Sequence, residues 1–471
     1  MPRSGTELQA APLDEKAAQK ALLWIVAAGF FMQSLDTTIV NTALPSMAAG
    51  LHESPLAMQP VVVAYTLTMA MLTPASGWLA DRFGMRATYL VSILLFVIGS
   101  VWCAGAQSLP QLAAARVLQG FGGAMLLPIG RLAILRSVSA ERYIAALATV
   151  SVAGQLGPLL GPTLGGWLVQ TASWHWIFLI NLPIGLVGLW AVRRFVPVGR
   201  LDDVPRFDFA GFALLSLCMV AFSLAIDVPA TAHRSAWSLA LFALSALAAL
   251  AYVPHARRRR APLFRLGLFR EPNFGIGLLG NLVARIGSSA VPFLLPLLLQ
   301  LQLGYSPLHS GLMMIPAALA GILSKSWISG LVRRFGYDRF LLVNTAIVGG
   351  SIMSFSLISP EWPLWAQIAQ LSIFGGANSM QFAAMNSVTL KGLGKSDAGG
   401  GNSLFSMVQM LAMGLGATIG GGLVGLWSGE LGSTALAFRY TFLAVGAITL
   451  MSAGIFRWLD EVQVKAQARK A

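Results

Sequence analysis

The chain is divided into about fourteen apolar runs, each long enough to cross ~30 Å of hydrocarbon as a helix. They fall near 21–44, 58–80, 87–107, 110–132, 144–169, 175–196, 208–228, 235–255, 274–301, 307–331, 339–359, 363–387, 399–427 and 436–459. The runs are continuous and lack the period-two alternation of barrel strands, so helices are expected. Only 11% of the residues are charged, against about 25% in soluble domains. That is too few to cover a water-facing surface, and the chain reads as an all-α integral membrane protein.

The net charge of +14 would suit a nucleic-acid binder, but the placement of the charge argues against one. Lys and Arg cluster in alternate connecting segments: Lys16 and Lys20, Arg82 and Arg86, Arg136 and Arg142, 193–206, 257–270, 333–339, Lys391 and Lys395, and 465–470. The intervening segments hold essentially Arg234 and Arg439. The positive-inside rule makes the basic set cytoplasmic, and the even number of spans puts both termini there. The basic segments then read as topology signals and anionic-lipid contacts. Met1 to Lys20 is polar and lacks a signal-peptide core, so the first span is expected to be retained.

Several function classes find no support. Cys103 and Cys218 lie singly in apolar runs, and no His-Glu-x-x-His pair occurs, so neither a disulfide framework nor a metal site is expected. Gly394-Lys395-Ser396 mimics the end of a phosphate loop. Thr389 stands where its first glycine belongs, however, and no strand precedes it. No cofactor is expected, and no segment is large enough for a soluble catalytic domain, so the chain does not read as an enzyme. Energy has to come from an ion gradient, from the cargo's own gradient or from a partner.

The chain repeats itself. Arg82-Phe83-Gly84 recurs as Arg334-Phe335-Gly336, each following the second span of a six-span block. This suggests two parallel six-helix halves. The expected division is a cytoplasmic segment 1–20, an N-terminal half 21–200, an inserted helix pair with charged linkers 201–260, a C-terminal half 261–460 and a tail 461–471. Asp81 corresponds to Arg333, so a charge lock at this point is not symmetric.

Asp36 lies inside the first run, where a carboxylate at the bilayer centre costs roughly 2.5–3.5 kcal/mol. From Ala21 it is about 15 residues, or roughly 22 Å, along the helix, past the midpoint toward the outer side. Thr37, Thr38 and Asn41 can bond it or a ligand. Burial favours the neutral form of a carboxylate and a nearby cation favours the charged form. Asp36 is therefore a candidate proton carrier, and a structural ion pair with Arg116 or Arg285 is the competing reading. Arg116 is embedded in the fourth run with Gln119 on its face. It tunes such a carboxylate or snorkels to the interface. Gln33, Thr37, Asn41, Tyr65, Gln119 and Arg285 are candidates to line a cargo cavity, with Phe30, Phe31 and Met32 as adaptable apolar neighbours. Arg131 and Lys325 lie near cytoplasmic ends and are expected to snorkel. Gly157, Gly161 and Gly165 recur at every fourth residue, a smooth stripe for helix packing. Pro158 and Pro162 within it remove backbone donors and bend the helix.

These motifs together carry a resemblance. Gly77, Asp81, Arg82, Gly84 and Arg86 resemble the loop signature of the major facilitator superfamily. Arg116-x-x-Gln119-Gly120-x-Gly122-Gly123 is similar to its fourth-helix signature, and Gly154, Gly157, Pro158, Gly161, Pro162 and Gly165 to the fifth-helix motif of its antiporters. Leu35-Asp36-Thr37 through Asn41 to Pro45, with 174–185, resembles its fourteen-span drug:proton antiporters. The resemblance implies a secondary active transporter of the bacterial inner membrane, a proton-coupled multidrug efflux antiporter acting as a monomer. It also implies proton coupling through Asp36 and Arg116, and a gating latch in the loop motif. Export of a metabolite, siderophore or amino acid is the alternative. A receptor or scaffold that moves nothing is a third reading, which the embedded Asp36 and Arg116 disfavour.

Overall fold

Backbone in hydrocarbon finds no water to bond, so each apolar run must satisfy its own N–H and C=O groups by coiling. The computed structural model describes residues 15–137, 140–196, 204–227, 232–391, 393 and 398–468, and no strand occurs among them. The Gly394-Lys395-Ser396 segment and the extreme termini lie outside the described residues. The helices are α1 (Glu15–Gly50), α2 (Pro55–Phe83), α3 (Met85–Ala104), α4 (Leu109–Ser137), α5 (Ala140–Thr171), α6 (Trp176–Phe195) and α7 (Phe209–Asp227). They continue with α8 (Ala232–Arg258), α9 (Pro272–Leu301), α10 (307–335), α11 (337–354), α12 (Leu364–Leu390), α13 (Ala398–Leu431) and α14 (Thr434–Ala468).

Among the described residues, eleven helical stretches are long and apolar enough to cross a membrane. One, Pro307–Leu357, has 51 residues, about 76 Å if straight. It is really two rods, α10 and α11, because Gly336 breaks it at φ 80° and ψ 163°. α5 and α12 stand outside the eleven, and α12 carries Gln367, Gln370 and Gln381 buried against its neighbours. The rods overlie the expected runs, with longer ends. Pro45 lies inside α1 without ending it, and α14 continues to Ala468.

Gly84 adopts φ 87° and ψ 146°, nearly the geometry of Gly336, and only glycine takes such angles without strain. The repeat seen in the sequence is thus a repeat of backbone conformation. Expectation and structure differ over how much of the motif is loop. Gly77, Asp81 and Arg82 belong to the last turns of α2, and Gly84 alone breaks the helix. Gly77 does not serve close helix approach, since a Cβ there would meet nothing within 4 Å, and the same holds for its counterpart Gly330.

The two halves, α1–α6 and α9–α14, meet along α1 with α9, α2 with α13, and α5 with α10. At the end opposite the basic segments the approach is backbone to backbone. A Cβ at Gly166 would strike the Pro307 carbonyl, one at Gly311 would strike that of Pro162, and Thr163 donates to the Gly311 carbonyl at 3.3 Å. Gln300 also donates across to the Thr42 carbonyl at 2.9 Å.

The inserted pair is central in the chain but peripheral in the bundle. α8 packs on α7 and turns Leu239, Leu247 and Leu250 outward, while α7 touches both α2 and α13. Its linkers are clasped at Asp208, which is buried. The carboxylate takes His255 Nε2 at 2.7 Å, Arg259 Nε at 3.2 Å, and the N–H groups of Gly211 and Leu263 at 3.1 and 3.0 Å. Burial pushes this carboxyl up. The bonds from His255, Gly211 and Leu263 outweigh burial and hold it below the usual carboxylate range. A depressed folded value contributes stability that is complete above the unfolded value of ~3.9 and fades as the pH falls through the folded one. The stability lost in Asp208→Asn should therefore be constant above about pH 5 and shrink on acidification. Thermal unfolding of parent and variant across that range measures this, and a difference that stays flat into acid would contradict the clasp.

Candidate functional site

Asp36 is fully buried, and so are its partners. Arg116 Nη1 lies 2.6 Å from Asp36 Oδ2, and Gln119 Nε2 donates to Oδ1 at 2.7 Å. Asn181 Nδ2 donates to the same Oδ1 at 3.2 Å. Arg116 is fixed on its remaining sides. Its Nε donates to the Val61 carbonyl at 3.0 Å, Nη1 reaches Gln119 Oε1 at 2.5 Å, and its guanidinium sits 4.1 Å above the Tyr65 ring. Ser100 Oγ accepts from Gln119 at 2.9 Å and from Asn181 at 3.3 Å, closing the network. Among the described residues three donors and no acceptor bond the carboxylate. The competing readings of the sequence are decided in part: Arg116 is the partner, and Arg285 has no carboxylate within ion-pair distance among the described residues.

Local helical spacing explains half of this network. Arg116 and Gln119 are three residues apart on α4 and share a face. Ser100 on α3 and Asn181 on α6 were not foreseen. A single asparagine in an apolar run gives no signal of which neighbour it will meet, and only the motif around 174–185 drew attention to it. Asn181 Oδ1 is buried and has no hydrogen-bond partner among the described residues.

The antiporter-like motif seats α5 against the stretch of α1 that holds Asp36. A Cβ at Gly157 would lie 2.6 Å from the Ser34 carbonyl carbon and 2.7 Å from Leu35 N; at Gly161 it would meet Thr38, and at Gly165 Ile39. Gly154 faces Phe30 in the same way. Pro158 has no N–H for the Gly154 carbonyl, and Ser34 Oγ donates to that freed oxygen at 2.6 Å. Thr38 Oγ1 donates to the Gly157 carbonyl at 3.1 Å.

Between the halves lies a cavity of about 270 Å³. Asn41 and Thr42 line it from α1, Pro158 and Pro162 from α5, Pro292 and Pro296 from α9, Lys325 from α10, and Phe374, Asn378 and Phe382 from α12. Of the six expected cavity residues Asn41 lines it. Gln119 and Tyr65 instead belong to the Asp36 network, Gln33 Nε2 points to Met69 Sδ at 4.0 Å, and Thr37 bonds its own helix at the Gln33 carbonyl. Arg285 stacks on Phe382. Lys325 does not snorkel freely: its Nζ donates to Gln155 Oε1 across the halves at 2.7 Å. In the loop motif Asp81 is half-buried, Arg82 is exposed, and Arg86 donates to the Arg193 carbonyl.

A multi-pass helical bundle with two like halves, a buried ion pair in one of them and a largely apolar cavity between them defines a membrane transporter. The Major Facilitator Superfamily model matches residues 26–417, and the chain belongs to that superfamily. It is 45% identical over 471 residues to MdtD of Pectobacterium atrosepticum, a proposed multidrug resistance protein, covering 98% of this chain and all of that one. It is 48% identical over 442 residues to the Salmonella typhimurium protein of the same name, covering 92% and 93%. Among solved structures it resembles a bacterial homologue of the human lysosomal transporter Spinster, inward-facing and unoccupied. That match has a TM-score of 0.67 at 16% identity, over 96% of this chain and 98% of that one.

Proposed function

We propose that the protein is a proton-coupled exporter of lipophilic small molecules working by alternating access in the bacterial inner membrane, with both termini cytoplasmic. Residues 21–200 and 261–460 rock against each other about the cavity, while 201–260 rides at the periphery. The observation that carries this is the position of Asp36. Its carboxylate takes bonds from Arg116, Gln119 and Asn181, and it lies on the same helix as Asn41 and Thr42, which line the cavity. The relatives named for multidrug resistance support a drug-like cargo. A site and cavity built within one chain support a monomer.

A proton reaching Asp36 cancels the charge that holds Arg116. The new O–H needs an acceptor, and Asn181 Oδ1, lacking a partner, is one amide rotation away. α1 then loses its ionic hold on α4, while its tie to α6 changes from an accepted to a donated bond. The glycine stripe makes α5 follow α1, so neutralisation at Asp36 moves one wall of the cavity. The tight contacts at 162–166 with 307–311 close the end opposite the basic segments, which fits a state open toward the cytoplasm.

The test uses the protein in liposomes with cationic dyes and small metabolites as probes. An imposed pH gradient should drive uphill probe movement against the proton flow, and probe added without a gradient should move protons measurably. Probe movement indifferent to the gradient would remove proton coupling.

A further inference from the structure

The cavity between the halves is lined by no carboxylate; one cation lines it, and a second stacks on a lining residue. Lys325 is the lining cation; its Nζ donates to the neutral Gln155 amide oxygen, and it has no carboxylate within 4.0 Å among the described residues. The other is Arg285. On α9 it lies seven and eleven residues before Pro292 and Pro296, and so on the helix face that lines the cavity. Its guanidinium stacks 3.6 Å from the centroid of Phe382, itself a lining residue, and its Nε donates to Asn281 Oδ1 at 2.7 Å. It is only 8% exposed. Unlike Arg116, whose charge Asp36 matches, it has no carboxylate within 4.0 Å among the described residues. A buried cation is retained where something pairs with it. Neutral bonds and one ring face leave that charge unmatched, and donors remain beside it: Asn281 Nδ2 and Ser288 Oγ, about one turn away on either side, are buried without partners among the described residues.

We propose that Arg285 is the anion-recognising residue of the cargo site, and that the cargo is a small, largely apolar carboxylic acid. This rests on reading the cavity as the cargo site, and it sharpens the substrate class away from lipophilic cations. The prolines with Phe374 and Phe382 offer apolar and aromatic surface for the body of such a molecule. Asn41 Oδ1 and Asn378 Oδ1, both buried without partners among the described residues, accept a hydroxyl at its far end. Lys325, on the same cavity, adds positive potential without being the primary contact.

The experiment measures equilibrium binding to the purified full-length protein by ligand-induced thermal stabilisation. The probes share one framework: 3-(4-hydroxyphenyl)propionate, its methyl ester, and the cation tyramine. The acid should stabilise the parent saturably while ester and amine do not. Arg285→Gln should weaken acid binding about tenfold or more, as loss of a charge-assisted contact does. Arg285→Lys should keep most of it, and Lys325→Gln should lose less than Arg285→Gln. No response to the acid, an equal response to acid and ester, a preference for tyramine, or unchanged affinity in Arg285→Gln would each overturn the proposal and leave Arg285 a structural cation. If Arg285→Gln does not fold, the three-probe comparison on the parent and on Arg285→Lys decides. Binding needs no gradient, so failure here leaves coupling at Asp36 standing, and failure of coupling leaves this binding standing.

Discussion

Asp36→Asn is expected to abolish gradient-driven transport and to destabilise the protein by about 3–5 kcal/mol, because removing one partner of a buried ion pair strands the other charge. The new amide would present Nδ2 or Oδ1 where Arg116, Gln119 and Asn181 all donate. One amide oxygen cannot satisfy three donors, and Arg116 keeps a full charge in a fully buried site. Two effects are then superimposed, the lost proton site and the unmatched cation. The double variant Asp36→Asn with Arg116→Gln separates them. Charge is balanced again, so much of the stability should return; a neutral buried pair is often no worse than an ionic one. Proton coupling should not return, because no carboxylate remains in the Arg116, Gln119 and Asn181 network. The double variant should therefore exchange probe between the two faces of a liposome yet fail to accumulate it under a pH gradient. Thermal unfolding and paired exchange and accumulation assays measure both parts. Parental accumulation in Asp36→Asn would sink the carrier role outright. Accumulation restored by the double variant would make the pair purely structural.

The elements of this site differ in how far the sequence could reveal them. Asp36 and Arg116 stand out because a charge within an apolar run demands an explanation. Gln119 follows by helical spacing, and Asn281 could have been linked to Arg285 by the same i to i+4 rule. Gly84 and Gly336 were legible as a repeat, because the residues around a positive φ recur with it. Contacts between helices were not legible. Whether Asn181 faces Asp36, or Phe382 faces Arg285, depends on helix rotation and crossing angle, which local periodicity leaves open. The same ignorance set Gln33, Thr37 and Tyr65 among expected cavity residues, although they do not line the cavity between the halves, and left out Thr42, Pro292 and Asn378, which do. The inserted pair reads as central in the chain, and its peripheral position follows only from which neighbours α7 and α8 find.

The glycine stripe supplies the second large effect. Gly157→Ala adds one methyl group, and in an open helix that change stabilises by roughly 0.5–1 kcal/mol. Here the methyl would lie 2.6 Å from the Ser34 carbonyl carbon and 2.7 Å from Leu35 N. These are backbone atoms and cannot swing aside as a side chain would, so α1 and α5 must part. Overpacking of this kind costs about 1–3 kcal/mol, and it also stretches the bonds from Ser34 Oγ and Thr38 Oγ1 to α5. The strain falls one to two residues from Asp36, so the carboxylate moves relative to Gln119 and Asn181, and coupling should fall more than stability alone explains. Gly425→Ala on α13 is the matched control, since a Cβ there meets nothing within 4 Å. The expected result is a lowered unfolding temperature and impaired gradient-driven transport for Gly157→Ala, with unchanged or slightly raised stability and normal transport for Gly425→Ala. Equal behaviour of the two would mean that the stripe is ordinary lipid-tolerant surface, and that α5 does not carry the movement of α1 into the cavity wall.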